Sequence, residues 1–237
     1  MAILFTEKYV ELIQYARELN RNDKIVGDIY FHPQESSNKI IVKTIDLAKE
    51  NPLCDVNNKP SGGGEEHWLE AYIINRSKKN NWEFSVSGKP YRFLSSQLRF
   101  RQSPLLKIRG KFHVITDVLF YDYFDKNLVI WELKKNRDIP TAVEELNCYV
   151  SELKRLFLKD EGENALKAFG LPLINNVVGY VVCPQKGNNT TNTGNFGLCE
   201  FSCQYPIILN GELTKPWDKY KELKKEKREL IIDFNLK

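Results

Sequence analysis

KFHVITDVLFYDYFDKNLVIWELKK, residues 111–135, decides how the rest of this chain is read. Two apolar runs rich in β-branched and aromatic residues, VITDVLFY and NLVIWELK, flank Asp122-Tyr-Phe-Asp-Lys-Asn127. Val, Ile, Phe and Tyr favour strands and Asp-Lys-Asn is turn chemistry, so the stretch predicts a β-hairpin. Inside it sit three charged residues, Asp117, Glu132 and Lys134. Side chains alternate faces along a strand, so Glu132 and Lys134 leave the sheet on the same side. A fold about Phe124 and Asp125 sets Asp117 opposite Glu132, whereas a turn centred on Lys126 shifts the pairing. Two carboxylates and an ammonium on a half-buried sheet are costly unless paired or bound to a cation. The pattern therefore suggests a metal site with a basic neighbour. The plainer alternative makes Asp117 an edge-strand charge and puts Glu132 and Lys134 on a solvated face.

At 237 residues the chain is long enough for one large domain, with 42% hydrophobic and 28% charged residues as in ordinary globular proteins. No apolar run approaches the ~20 residues that span a bilayer, and MAILFTEKY lacks a signal-peptide pattern, so no membrane association is expected. The five cysteines form no Cys-x-x-Cys pair, and the odd count argues against a disulfide framework. Reduced, partly buried thiols are the expectation, with zinc held by Cys183, Cys199 and Cys203 as the weaker alternative. A cytoplasmic, reducing location follows. A net charge of +4 permits a nucleic-acid partner without demanding one.

Working outward from the hairpin, the segment before it, LRFRQSPLLKIRGKFH, carries Arg99, Arg101, Lys107 and Arg109 among aromatics and no acidic residue. It suits a phosphate-contacting edge as well as a solvated strand face. Residues 81–96 supply further strands. EEHWLEAYIINRSKKN, from residue 65, has helical spacing; Glu65 and Glu66 read as a solvated acidic first turn, and Glu70 as nearer the buried side. Asn57–Gly64, NNKPSGGG, is the clearest linker, preceded by a helical pattern over 5–20 and short strand patterns. Beyond the hairpin, 141–158 predicts an amphipathic helix capped by Thr141, with Glu145 and Tyr149 one turn apart and Lys154 placed to face a phosphate. ENALKAFG predicts a short helix, NNVVGYVVCP a buried strand, 186–197 a polar loop and FSCQYPIIL a late strand. Residues 217–230 predict a C-terminal amphipathic helix that packs on the body, with a homodimer contact as the alternative.

Asp117, fifteen residues ahead of Glu132-Leu133-Lys134 on consecutive strands, resembles the core of the PD-(D/E)XK nuclease superfamily. Gly63-Gly-x-x-x-Trp-Leu-Glu-Ala-Tyr72 is also similar to the helix opening the nuclease half of CRISPR-associated, cyclic-oligonucleotide-activated nucleases. The resemblance implies an α/β fold with a restriction-endonuclease-like αβββαβ core. That core would be a central mixed sheet flanked by helices, with an N-terminal extension (1–60) joined to a nuclease core and C-terminal helix (61–237) in one domain. It implies Asp117, Glu132 and Lys134 as catalytic residues, and Asp117, Glu132 and Glu70 as ligands of Mg²⁺ or Mn²⁺. DNA would be the substrate, in restriction, defence or repair, with Arg99, Arg101, Lys107, Arg109 and Lys154 on the nucleic acid. Two departures stand out. Thr116 occupies the place where a Pro commonly precedes the Asp, and Glu145 replaces the Gln that accompanies the Tyr of the exonuclease-like branch. An RNA-cutting nuclease and a catalytically silent binding relative are the alternatives.

Overall fold

The structure, a computed structural model, describes residues 65–101, 113–158, 173–186, 192–205, 207–214 and 216–237. The N-terminal extension, the helix expected over 163–170, Lys107 and Arg109 lie outside the described residues.

Helix α1 (Glu65–Lys79) places two glutamates in its first turn, where the helix dipole favours them, and buries Trp68, Leu69, Tyr72 and Ile73. Strands β1 (Glu83–Val86) and β2 (Lys89–Arg101) follow as a tight hairpin whose loop residues, Ser87 and Gly88, both have positive φ (49° and 78°). Such two-residue loops match the strand twist, and glycine takes the second position without strain. Strands β3 (His113–Asp122) and β4 (Asn127–Leu133) form the hairpin expected from the sequence. Asp122 Oδ1 accepts from the backbone N–H groups of Phe124 and Asp125, and Lys126 takes φ 54° to close the loop. The turn is thus centred between Phe124 and Asp125, and the ladder runs from Asp122↔Asn127 to Val118↔Trp131.

Helix α2 (Ile139–Phe157) crosses over to β5 (Asn176–Pro184), which runs parallel to β4 and to β6 (Gly197–Cys203). Its cap is Asp138, not Thr141: the Asp138 carboxylate accepts from the Thr141 backbone N–H at 3.4 Å, and Pro140 occupies the first turn. A small hairpin, β7 (Ile208–Leu209) with β8 (Glu212–Leu213), precedes helix α3 (Pro216–Lys225). The C-terminal helix is therefore shorter than the expected 217–230. Lys227, at φ 57°, ends it in a left-handed turn: its N–H bonds Lys224 O, and Arg228 N–H bonds Leu223 O. Lysine at a position that usually takes Gly or Asn leaves no stop signal in the sequence. The chain then turns into β9 (Ile232–Leu236), antiparallel to β6.

One mixed sheet results, in the order β1-β2-β3-β4-β5-β6-β9, flanked by helices. The αβββαβ order is present as α1, β2–β4, α2 and β5, with β1 added at one edge and β6 and β9 at the other. Helix α2 covers one face through Ala142, Leu146, Val150 and Leu153, packed on Leu119, Tyr121, Leu128 and Ile130. Gly179 on β5 permits this approach, since a Cβ there would lie 2.9 Å from Leu146 Cδ2. Helices α1 and α3 cover the other face, over an aromatic cluster that includes Phe120, Trp131, Phe201 and Phe234. The sheet curls until its edges meet: Phe84 and Phe234 are 5.3 Å apart between ring centroids, and Leu236 N–H donates to Ser87 Oγ.

Among the described residues, Cys148, Cys183, Cys199 and Cys203 form no disulfide. Cys183 belongs to the core beneath α2 and Cys199 to the core on the opposite face, so the two cannot share a zinc ion. Among the described residues no helix is long and apolar enough to cross a membrane.

Candidate active site

Continuing the β3–β4 register by one step sets Asp117 opposite Glu132, at the point where the backbone ladder between the strands stops. β4 stays bonded to β5 on its other side, through Leu133↔Val182 and the Lys134 N–H to Val182 O at 2.8 Å. On the opening side, the Leu133 N–H donates to Asp117 Oδ2 at 2.8 Å, so a carboxylate takes the place of a strand carbonyl. The parting of β3 from β4 is what makes room for charged groups in an otherwise apolar sheet. Alternation then decides the face. Leu119 and Tyr121 of β3, with Leu128 and Ile130 of β4, pack beneath α2, so Asp117, Glu132 and Lys134 are on the α2 side.

Lys134 Nζ lies between two carboxylates, 2.6 Å from Glu132 Oε1 and 2.7 Å from Glu145 Oε2 of α2, with its side chain 11% exposed. Glu132 Oε2 is buried without a hydrogen-bond partner. Burial pushes the Asp117 pKa up to about 6, although the Leu133 N–H and Lys134 oppose the shift; Glu66 and Glu145 add to it. Burial, then the Asp117 charge, raises Glu132 well above the ordinary carboxylate range in spite of Lys134. For Lys134, burial works to lower the pKa, but Glu132 and Glu145 more than offset it and hold the ammonium charged. Tyr149, one turn beyond Glu145 and partly buried, is pushed up by burial and by the charges of Glu132, Glu145 and Asp117. The centre thus collects more negative than positive charge in a partly dry setting.

Glu66 was expected to be solvated but accepts the Lys135 N–H at 3.0 Å, and its charge acts on Asp117. Helix α1 therefore delivers its first turn to the C-terminal end of β4. Glu70, one turn on, is 6% exposed. Lys135 pairs with Glu65 and Glu212, each at 3.5 Å, and its carbonyl accepts from Leu213 N–H, which ties α1, β4 and β8 together at this end of the sheet. Glu145 went unassigned in the sequence because its partner, Lys134, is supplied by another element. Of the basic residues expected to contact nucleic acid, Lys154 is exposed on α2, and Arg99 and Arg101 lie on the part of β2 that pairs with Ile115 and His113.

The residues present fit a hard divalent cation at Asp117 and Glu132. Carboxylate oxygens are the donors such ions take, and Glu132 Oε2 is an acceptor with nothing to accept from. No group of three or more His, Cys, Asp or Glu side chains that could hold an ion occurs among the described residues. Mg²⁺ commonly takes one or two carboxylates and completes its shell with water and substrate oxygens, so two are enough.

No family model matches the sequence, and no curated protein matches it. Two solved structures show a partial likeness. One is an EndoMS–dsDNA complex, 23% identical over 55% of this chain and 39% of that chain, with a TM-score of 0.29. The other is the crystal structure of a repair endonuclease from Pyrococcus abyssi, 19% identical over 72% of this chain and 47% of that chain, also with a TM-score of 0.29. This chain spans less than half the length of either, and superpositions this loose establish no relationship.

Proposed function

We propose that this chain is a divalent-cation-dependent nuclease that hydrolyses phosphodiester bonds, with DNA as the favoured substrate. The observation that carries this reading is the convergence of Asp117, Glu132 and Lys134 on one sheet face where β3 and β4 separate. In this reading Asp117 and Glu132 hold Mg²⁺ or Mn²⁺. Such an ion, when bound, polarises a phosphoryl oxygen and lowers the pKa of coordinated water. Lys134 then has a narrower role than base or orienter alike. Held charged by two carboxylates, it has no lone pair with which to take a proton from water. It instead donates to a non-bridging phosphate oxygen and stabilises the charge that grows there as the water oxygen attacks phosphorus, its proton passing to solvent, and the ester oxygen leaves and takes a proton from solvent. The apolar surround under α2 limits water and strengthens each of these interactions.

The test joins substrate to metal. Plasmid, linear duplex, single-stranded DNA and RNA are incubated with Mg²⁺, Mn²⁺ or EDTA, and cleavage of RNA alone would reassign the substrate. In parallel, melting is followed against Mn²⁺, where a concentration ~100 times the dissociation constant should stabilise the wild type by about 2.7 kcal/mol. Asp117→Ala and Glu132→Ala should lose most of that gain and all cleavage. Lys134→Ala should keep the gain and still not cleave. Cleavage by Lys134→Ala at the wild-type rate would remove Lys134 from the mechanism, and a wild type inert on every polymer would end the nuclease reading.

A further inference from the structure

Lys134 poses a difficulty for the site as described. Its ammonium sits 2.6 Å from Glu132 Oε1, on a carboxylate that the nuclease reading assigns to a cation. An ammonium and a divalent ion on one carboxylate repel, so the lysine competes with the ion unless it has somewhere else to go. Glu145 supplies that place. Its Oε2 is 2.7 Å from the same Nζ, it projects from α2 rather than from the sheet, and at 24% exposure it is less buried than Glu132 at 4%. A single small rotation of the lysine tip therefore exchanges a shared ammonium for one held by Glu145 alone.

We infer that Glu145 is a positioning residue that takes over Lys134 when a cation occupies Glu132, so that metal binding and correct placement of the ammonium are one event. Without Glu145 the ammonium is left to Glu132 and to the charge of Asp117, the two carboxylates the ion needs, and blocks it. This rests on the proposed metal site but concerns a residue that the sequence left without a role. Helix α2 can hold the receiving carboxylate steady because Leu146, the next residue, is fully buried against Gly179 of β5.

A double-mutant cycle read by Mn²⁺ binding, with no turnover required, tests this. Isothermal titration is run on wild type, Glu145→Gln, Lys134→Ala and the double variant, with melting curves to establish that each is folded. Glu145→Gln keeps the size and a hydrogen-bonding oxygen but cannot neutralise the ammonium. It should weaken Mn²⁺ binding about 10-fold beside Lys134, and less than about 2-fold in the Lys134→Ala background, a coupling within the usual range for touching residues. Glu145→Asp should recover part of the loss. Equal weakening in both backgrounds would mean that Glu145 acts only as a nearby negative charge, and would overturn the inference while leaving the nuclease reading intact. A wild type that binds no Mn²⁺ would sink both.

Discussion

Asp117→Asn isolates what the buried carboxylate costs the fold. Below about pH 3 Asp117 is protonated in both the folded and unfolded chain, and aspartic acid and asparagine differ little there. Burial raises its folded pKa to about 6 from an ordinary 3.8, so as pH climbs through that window the unfolded chain releases its proton first and stability falls. Above pH 6 the full penalty is present, about 3 kcal/mol for a shift of this size. Asparagine carries no such penalty, and its side-chain oxygen can still accept the Leu133 N–H. It also removes the charge that helps push Glu132 up. In EDTA at pH 7.5, Asp117→Asn should therefore melt above the wild type, by roughly 6–12 °C for a domain of this size, and the gap should close toward pH 4. Adding Mn²⁺ should raise the wild type and leave the variant unmoved. Thermal melts from pH 4 to 8, with EDTA and with Mn²⁺, supply the data. Parallel pH–stability curves for the two proteins, or a less stable variant at pH 7.5, would show that Asp117 is a structural carboxylate and not a strained ligand.

Three further outcomes are expected. Tyr72→Phe removes the hydroxyl that accepts the Ile232 N–H in a buried position, and should cost about 1–3 kcal/mol by denaturant titration, with hydrogen exchange rising in β9 first. Lys227→Gly relieves a left-handed position and should stabilise the protein by about 0.5–1 kcal/mol, whereas a fall in midpoint would mean that the lysine side chain matters there. If Arg99, Arg101, Lys107 and Arg109 follow a phosphate backbone, reversing them in pairs should lower the salt dependence of duplex binding by about 0.9 per lost contact, and an unchanged slope would return them to a solvated face.

The hairpin was legible because two independent signals agreed. Side-chain alternation put Glu132 and Lys134 on one face, and of the two turn centres the sequence left open the structure takes the one between Phe124 and Asp125, which sets Asp117 opposite Glu132. Helix α1 was equally plain, with bounds that coincide with the periodic stretch. What stayed hidden depended on contacts between distant elements. Glu66 looks like any first-turn glutamate until the Lys135 N–H arrives from β4, and Glu145 looks like a solvated helix residue until Lys134 reaches it. The helix expected over 217–230 overran its true end because Lys227 gives no stop signal, and β9 beyond it was not expected, because IIDFNL can continue an amphipathic pattern as easily as begin a strand.

That last strand has a consequence for how the protein is made. Ile232 meets Tyr72 across 160 residues of sequence, and Leu236 meets Ser87 across 149. Loop closures of that length are slow, and they wait until β9 has followed every other strand of the sheet out of the ribosome. Until then β6 shows an unpaired edge, and the aromatic face around Phe84 and Trp131 lacks Phe234. A nascent chain at that stage presents the two features that favour aggregation, an open strand and exposed aromatics, side by side. Yield should therefore depend on synthesis rate and on chaperones that shield this rim more than on the stability of the finished sheet.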